Sequence, residues 1–202
     1  MSSWLYTDKV KDHFMNPRNI MIEEDDFQYD AQGTNGNIKC GDEMTFYIKV
    51  DPETLKITDC RWWTFGCASA IASTSVLSEM IKGMELEEAY NISNKAILEE
   101  LGGLPDKKVH CSVLGDKALR KAIDNYYASH GMEDRVHETT SKIVCECMEV
   151  SEEDIEEAVL EGARNYYQLQ EATRVGTSCG KCEGEARELL SHYISKHFGR
   201  NS

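Results

Sequence analysis

Two close pairs of cysteines in the last third of the chain constrain its fold most strongly. Cys145 and Cys147 are separated by one residue, and Cys179 and Cys182 by two. This last segment, of about 55 residues, is marginal on apolar burial alone and often needs a metal or a disulfide. Four thiolates brought together suit tetrahedral zinc or a [2Fe–2S] cluster. A one-residue spacing fits structural zinc poorly, although the spacing alone leaves a zinc site open.

Three further cysteines define a second candidate site earlier in the chain. Cys67 and Cys111 each stand at a predicted helix start, where free N–H groups lower a thiol pKa. With Cys40 and either Asp42 or His110 they would form a mixed-ligand site, which binds more weakly than four cysteines do. Long-range cysteine patterns are weak signals, so ordinary burial of these three thiols also stays open.

The charge and hydropathy pattern excludes several classes of partner. The net charge is −14, which repels phosphate backbones and anionic membrane surfaces, so we expect neither nucleic-acid nor membrane binding. No apolar run reaches the roughly 18 residues of a membrane span, and residues 1–14 lack a secretory apolar region. We therefore expect a cytoplasmic protein with reduced thiols. Cys60, in a strand-like run, is expected to be buried.

The first two thirds of the chain predict an α+β fold. Apolar and polar residues alternate from Met44 to Val50, which is typical of a half-buried strand. Residues 55–59 and 61–65 predict two further strands of an antiparallel meander, whereas the glycine-rich Gly33–Gly36 predicts a loop. The result is a three-stranded antiparallel sheet packed with helices. The predicted helices span residues 5–16, 67–83, 86–90, 96–101 and 112–129.

The last third predicts a small, mostly helical domain. Residues 131–142 contain almost no apolar side chains and mark a domain boundary. Ser151 and Asp154 form a capping-box pattern that starts a helix ending near Glu161. Two more helices follow, one over residues 166–172 and a last one with Cys179 and Cys182 at its start. The predicted domains are 1–130 and 143–202, joined by a linker at 131–142.

Several sequence stretches resemble a known family. Residues 4–130 resemble the IscU/NifU family of iron–sulfur cluster assembly scaffolds. Residues 144–190 resemble the [2Fe–2S] domain of NifU and bacterioferritin-associated ferredoxin. A counterpart of the C-terminal Nfu-type domain is not found, so we expect a second delivery site to be missing. The matching stretches are YTDKVKDHFMNPRN, CGD at Cys40, TFGCASAIAS around Cys67, LPDKKVHCSV around Cys111, VCECMEVSEED and TRVGTSCGKC.

The resemblance implies a role for each candidate ligand. In the first domain, a transient [2Fe–2S] or [4Fe–4S] cluster, or Zn²⁺, would be held by the three cysteines. Asp42 matches the aspartate that tunes cluster release, and His110 matches its neighbouring histidine. In the second domain a permanent [2Fe–2S] cluster would be held by four cysteines. The implied ligands are Cys40, Cys67 and Cys111 for the first site and Cys145, Cys147, Cys179 and Cys182 for the second.

The implied function is that of a scaffold rather than an enzyme. Such proteins receive persulfide sulfur from a cysteine desulfurase of the NifS/IscS type, combine it with ferrous iron and pass the cluster to apo-proteins. An electron donor and a second copy of the chain are further candidate partners. The segment Leu104–Lys108 lacks one proline of the family's chaperone-binding motif, which weakens the case for a heat-shock chaperone.

Two alternative functions stay open. In the first, the N-terminal site holds zinc and Cys111 accepts and relays persulfide sulfur. In the second, the chain is an electron carrier whose functional centre is the C-terminal [2Fe–2S] cluster. No Ser-His-Asp set, phosphate-binding loop or pair of catalytic carboxylates stands out, so turnover of a small-molecule substrate is not expected.

Overall fold

The computed structural model describes residues 6–22, 26–37, 42–105, 108–137 and 141–199. The chain divides into two units, Met1–His137 and Glu138–Ser202. The elements of the first unit are α1 (Asp8–Met15), β1 (Ala31–Asn37), β2 (Asp42–Asp51), β3 (Lys56–Phe65), α2 (Ala68–Met80), α3 (Leu86–Tyr90), α4 (Asn94–Glu100) and α5 (Val109–Ser129). Those of the second unit are β4 (Ile143–Cys145), β5 (Val150–Ser151), α6 (Glu152–Leu160), α7 (Tyr166–Thr173) and α8 (Glu183–Phe198).

The first unit is an antiparallel sheet in the order β1-β2-β3, covered by helices. Met44, Phe46 and Ile48 of β2 are fully buried, and they alternate with side chains on the other face of the sheet. Buried side chains of α2 and α5 complete the same core. The predicted α+β fold class, with three antiparallel strands and helices, is therefore confirmed.

The prediction of a loop at Gly33–Gly36 is wrong, because these residues belong to β1. The strand pairs with β2 from Ala31 opposite Ile48 to Asn37 opposite Asp42. Gly33 is required there, since a Cβ at this position would overlap the backbone of α5. Glycine therefore lets the helix contact the sheet directly, and strand pairing outweighs the loop preference of these residues.

Residues 56–65 form one strand, β3, where two were predicted over residues 55–59 and 61–65. The register between β2 and β3 shifts between Lys49 and Val50, which is a β-bulge, and it interrupts the alternation of buried residues. Cys60 lies on β3 and is fully buried, as predicted. Its Sγ donates to the carbonyl of Ser78 at 3.3 Å, and burial raises its pKa to about 12.

Helix α5 begins at Val109, three residues before its predicted start. His110 and Cys111 therefore lie in the first turn of this helix, although their side chains are not described. Helix α1 begins at Asp8, later than predicted, because Thr7 caps it by accepting from the backbone N–H of Val10.

The segment after α5 folds back onto the first unit. Glu133–Arg135 form a turn of 3₁₀ helix. The ring of His137 stacks on Tyr90 with a centroid distance of 3.5 Å, and its Nδ1 lies 2.9 Å from Oδ1 of Asp124. The first unit thus extends to His137, while residues 138–140 of the predicted linker lie outside the described part of the chain.

The second unit is a short hairpin of β4 and β5 followed by three helices. The predicted capping box is present: Ser151 Oγ accepts from the N–H of Asp154, whose carboxylate accepts from the N–H of Ser151. Tyr193 on α8 donates to Glu152 on α6 at 2.7 Å, which joins these helices. Across the described ranges of both units, the helices are too short or too polar to cross a membrane.

Candidate metal centres

Asp42 and Cys67 lie at the same end of the three-stranded sheet, where β2 begins and β3 ends. Asp42 is the first residue of β2, and Cys67 is the N-cap of α2, two residues after the end of β3. The two strands are paired there through Glu43 and Phe65. A Cβ at Gly66 would lie 3.8 Å from Cγ of Asp42, so the carboxyl group of Asp42 lies beside the backbone that leads into Cys67.

Helix α5 runs antiparallel to β1 and points its N-terminus at this end of the sheet. Asn125 donates to the carbonyl of Gln32 at 2.8 Å, near the start of the strand. Lys121, one turn earlier in the helix, donates to the side chain of Asn35 at 3.0 Å. The N-terminal part of α5 therefore lies beside the C-terminal part of β1, near Asn37.

The first turn of α5 reaches the level of Asp42. Gly33 packs against the helix backbone at Ala118. The helix from Ala118 back to Cys111 spans about 10 Å, and the strand from Gly33 to Asn37 about 13 Å. Since Asn37 pairs with Asp42, the backbone of Cys111 lies near the same end of the sheet.

The structure thus brings together part of the predicted first site. Cys67 is half-buried at a helix N-terminus, whose unpaired backbone N–H groups favour a thiolate. The described residues do not include Cys40 or the side chains of His110 and Cys111. They also do not include residues 106–107, which belong to the segment compared above with the chaperone-binding motif. Within the described ranges, no three His, Cys, Asp or Glu side chains are arranged to hold a single metal ion.

The four cysteines of the second unit form two sulfur pairs. Sγ of Cys147 donates to Sγ of Cys179 at 3.5 Å. The thiol of Cys182 interacts with the sulfur of Cys145, which lowers the pKa of Cys145 and raises that of Cys182. None of the four is in a disulfide. Each pair combines one cysteine from the first motif with one from the second, so the hairpin and the start of α8 are joined at this point.

Backbone N–H groups favour the thiolate form of two of these cysteines. The pKa of Cys145 is lowered, chiefly because the backbone N–H of Gly176 donates to its sulfur. The pKa of Cys179 is lowered first by the N–H of Lys181 and then by the Cys147 thiol. The pKa of Cys182 is raised by burial and by the neighbouring Cys145. Thiolates are the form that binds metals.

The two pairs differ in their access to solvent. Cys145 is 2% exposed and Cys182 is 8% exposed, whereas Cys147 and Cys179 are exposed. We call Cys145 and Cys182 the inner pair and Cys147 and Cys179 the outer pair. The site is therefore enclosed on one side and open on the other.

This donor set fits a [2Fe–2S] cluster. Thiolates bound tetrahedrally at about 2.3 Å from one metal ion lie about 3.8 Å apart, close to the 3.5 Å of the outer pair. A [2Fe–2S] cluster takes four cysteine thiolates, two on each iron. Two separate pairs match that requirement better than they match one ion surrounded by four sulfurs.

Two residues beside this site were missed by sequence reasoning. Gly176 supplies its N–H to Cys145 in a left-handed conformation, with φ of +69°. Tyr166 packs its hydroxyl against Gly176 so closely that a Cβ there would overlap it. A glycine shortly before Cys179 was the available signal for Gly176, whereas nothing in the local sequence indicates the position of Tyr166.

Comparisons with known proteins match both units. Residues 5–133 match the family described as NifU-like N terminal domain, and residues 143–192 match the BFD-like [2Fe-2S] binding domain. Nitrogen fixation protein NifU of Trichormus azollae is 43% identical over 195 residues, which cover 93% of this chain and 63% of that protein. The iron-sulfur cluster assembly scaffold protein IscU 1 of Archaeoglobus fulgidus is 48% identical over 150 residues, covering 74% of this chain and 95% of that protein.

A second IscU relative gives a similar picture. The scaffold protein IscU of Aquifex aeolicus is 47% identical over 154 residues, covering 76% of this chain and 93% of that protein. The chain spans less than two thirds of the length of the NifU relatives that it matches. The resemblance stated from the sequence motifs is confirmed for both units. This chain belongs to the family of proteins with a NifU-like N-terminal domain.

Proposed function

We propose that this chain is a scaffold on which iron–sulfur clusters are assembled and from which they pass to apo-proteins. The observation that carries the proposal is the position of Asp42 beside the Gly66–Cys67 backbone, at the end of the sheet to which α5 brings Cys111. A carboxylate beside a thiolate at a helix start is a mixed donor set, suited to binding a cluster without retaining it. Relatives named as NifU and IscU support the same function.

The first site would bind the cluster as cargo. Cys40, Cys67 and Cys111 would supply thiolates, and the N-termini of α2 and α5 would stabilise the negative charge of the thiolates and the sulfide. Asp42 would supply an oxygen donor, which binds iron less strongly than a thiolate does, and so would ease release. His110, next to Cys111, would lie within the same environment.

The second site would hold a resident [2Fe–2S] cluster on Cys145, Cys147, Cys179 and Cys182. Such a cluster supplies one-electron chemistry when it is bound. The N–H groups of Gly176 and Lys181 would stabilise the ligating thiolates. The arrangement in two pairs favours this cluster over a single zinc ion.

The expected partners follow from the scaffold function. A cysteine desulfurase of the NifS/IscS type would deliver persulfide sulfur to the first site, ferrous iron would supply the metal, and apo iron–sulfur proteins would accept the product. A one-electron donor is the partner that the second site would require.

The test is an assembly and transfer assay on the full chain purified without oxygen. The protein is incubated with ferrous iron, cysteine, a desulfurase and a thiol reductant that reduces the persulfide sulfur to sulfide. Iron, acid-labile sulfide and the visible spectrum are then measured. We expect resident iron and sulfide before incubation, and an additional, transferable amount afterwards. Cys67→Ser should lose the transferable iron and sulfide and keep the resident iron and sulfide. Cys60→Ala, which changes a buried thiol in the core, should keep both.

Two results of this assay would contradict the scaffold. One is the lack of any additional acid-labile sulfide after incubation. The other is transfer to an apo-protein that is equal in the wild type and in Cys67→Ser.

The oxygen and sulfur donors of Asp42 and Cys67 also favour a second candidate, a zinc-dependent persulfide relay. An assay with the desulfurase and zinc but no iron separates the two functions. A rise in sulfur-transfer turnover on zinc addition, with no chromophore ever forming at the first site when iron is supplied, would favour the relay.

A further inference from the structure

Tyr166 carries a buried hydroxyl group that is unpaired among the residues described. The side chain is 9% exposed, and its Oη is inaccessible to solvent and has no hydrogen-bond partner there. Burying a hydroxyl without a partner costs free energy, and buried tyrosines usually find an acceptor. The position of this hydroxyl therefore indicates a missing acceptor.

The surroundings of the hydroxyl place that acceptor at the cysteine site. Oη lies directly against the backbone of Gly176, whose N–H donates to the sulfur of Cys145. The guanidinium of Arg187 lies over the other side of the ring, 4.0 Å from its centroid, and is itself held by Glu183 at 2.8 Å. The ring is thus fixed between Arg187 and the Gly176 loop.

The electrostatic environment keeps the hydroxyl protonated. Burial raises the pKa of Tyr166, and the negative charges of Glu183, Cys182 and Cys145 raise it further, outweighing Arg187. Two of these charges belong to the sulfurs of the inner pair, so the negative charge of that pair acts on this hydroxyl. At neutral pH Oη is therefore protonated, and it can donate a hydrogen bond from its position against Gly176.

We propose that Tyr166 Oη donates a hydrogen bond to a sulfur atom of the [2Fe–2S] cluster held by the four cysteines of the second unit, and thereby raises the reduction potential of that cluster. The proposal rests on the function proposed above for this site. Reduction adds negative charge to the cluster, and a donor to a sulfur stabilises the more negative state. Tyr166 would thus tune the cluster without ligating it.

The test compares Tyr166→Phe with Tyr167→Phe in the full, cluster-containing chain. Tyr167 is the adjacent residue and is 68% exposed, so its variant removes the same atom from the surface of the same helix. We expect the equilibrium constant for one-electron reduction to fall several-fold in Tyr166→Phe, where tenfold corresponds to about 59 mV. Tyr167→Phe should have the wild-type potential.

A second measurement separates a hydrogen bond from a packing effect. Reduced samples in H₂O and D₂O are compared by electron–nuclear double resonance, which detects exchangeable protons near the cluster. One such proton should be absent in Tyr166→Phe and present in both the wild type and Tyr167→Phe. Wild-type protein labelled with difluorotyrosine, whose hydroxyl is a stronger donor, should have a higher potential, so the test does not depend on one variant retaining its cluster.

The outcomes distinguish this proposal from the function on which it rests. Wild-type protein without any [2Fe–2S] spectrum would overturn the proposed second site. Clusters in all three proteins, with equal potentials and the same exchangeable protons, would overturn the role of Tyr166 and leave the site intact. An unchanged potential after difluorotyrosine labelling would also overturn it.

Discussion

Oγ1 of Thr74 on α2 lies so close to Gly115 on α5 that a Cβ at residue 115 would be 2.6 Å from it. The contact is near the predicted first site, because α2 starts after Cys67 and α5 contains Cys111 in its first turn. Because Gly115 has no side chain, the two helices can approach each other this closely. Oγ1 of Thr74 is itself buried without a hydrogen-bond partner among the described residues.

Gly115→Ala should separate these helices and impair cluster assembly at the first site. Overpacking of this kind costs about 1–3 kcal/mol, measured by chemical unfolding of the first unit. Thr74→Ala alone should change the free energy of unfolding little. In the double variant it should restore the stability that Gly115→Ala loses, because it removes Oγ1 and leaves a Cβ contact of 3.4 Å. Equal stability and assembly in wild type and Gly115→Ala would show that the contact is unimportant.

Asp42→Ala should make the cluster at the first site persist. Loss of the oxygen donor leaves the thiolates to retain the cluster, and we expect transfer to an apo-protein to slow by about tenfold, or roughly 1.4 kcal/mol. The measurement is the rate of transfer followed by visible circular dichroism. Glu43→Ala is the matched control, because it removes the same charge from the next residue, whose side chain points to the opposite face of β2. Identical rates in all three proteins would refute this role for Asp42.

Cys179→Ser should destabilise the second unit selectively. A unit this small depends on its metal centre, so loss of the cluster should lower its free energy of unfolding by several kcal/mol. Calorimetry of the full chain should show an earlier transition for the second unit and an unchanged transition for the first. A second unit that melts at the same temperature with and without the cluster would be evidence against this dependence.

Gly176→Ala and Gly180→Ala form a matched pair. Both glycines have a positive φ, +69° and +71°, so either alanine carries a backbone cost of about 1–2 kcal/mol. A Cβ at Gly180 meets nothing within 4 Å, whereas one at Gly176 overlaps the Tyr166 hydroxyl. Gly176→Ala should therefore destabilise the second unit more and release its cluster sooner. Adding Tyr166→Phe should recover part of the loss, since the next ring atom is 3.4 Å away. Equal losses in the two alanine variants would contradict this account.

Glu156 should make the second unit sensitive to acid. Burial alone would raise its pKa, but hydrogen bonds from His197 and Lys196 on α8 outweigh burial and lower the pKa to about 2. A lowered carboxyl pKa means that the unfolded chain binds the proton more readily. The associated stability, on the order of 3 kcal/mol, is therefore complete above about pH 4.5 and is lost as the pH falls towards 2.

The test for Glu156 is chemical unfolding between pH 2 and pH 6. Glu156→Gln should lower stability at pH 6 and flatten its dependence on pH. Glu188→Gln, which removes an exposed carboxylate from α8, should leave the profile of the wild type. A wild-type profile that is flat between pH 2 and 4.5 would contradict the prediction.

The sheet shows where sequence patterns succeed and where they fail. Strand β2 was predictable because apolar and polar residues alternate in its sequence from Met44 to Val50, although Thr45 is also buried. Strand β1 was not, because its local sequence favours a loop and only pairing with β2 and contact with α5 make it extended. The division of β3 into two predicted strands arose from the bulge, which shifts the alternation of buried residues between Ile57 and Cys60.

The candidate sites were predictable to the extent that cysteine spacing and helix starts are local features. Cys67 and Cys182 are the N-caps of their helices, close to the positions that the sequence indicated. The pairing of Cys147 with Cys179 could not be read from spacing, since it depends on how the hairpin meets the start of α8. The same holds for Tyr166, whose contact with Gly176 arises from tertiary packing.

The unequal exposure of the two sulfur pairs makes one side of the second unit the side through which electrons would enter or leave. With a cluster bound as proposed, its solvent side would be formed by Cys147 and Cys179, and protein would insulate it behind Cys145 and Cys182. A docking redox protein would find its shortest tunnelling route through the two outer sulfurs. Electron transfer would then take place on one side of the unit only, and the surface around Cys147 and Cys179 would determine which proteins exchange electrons with it.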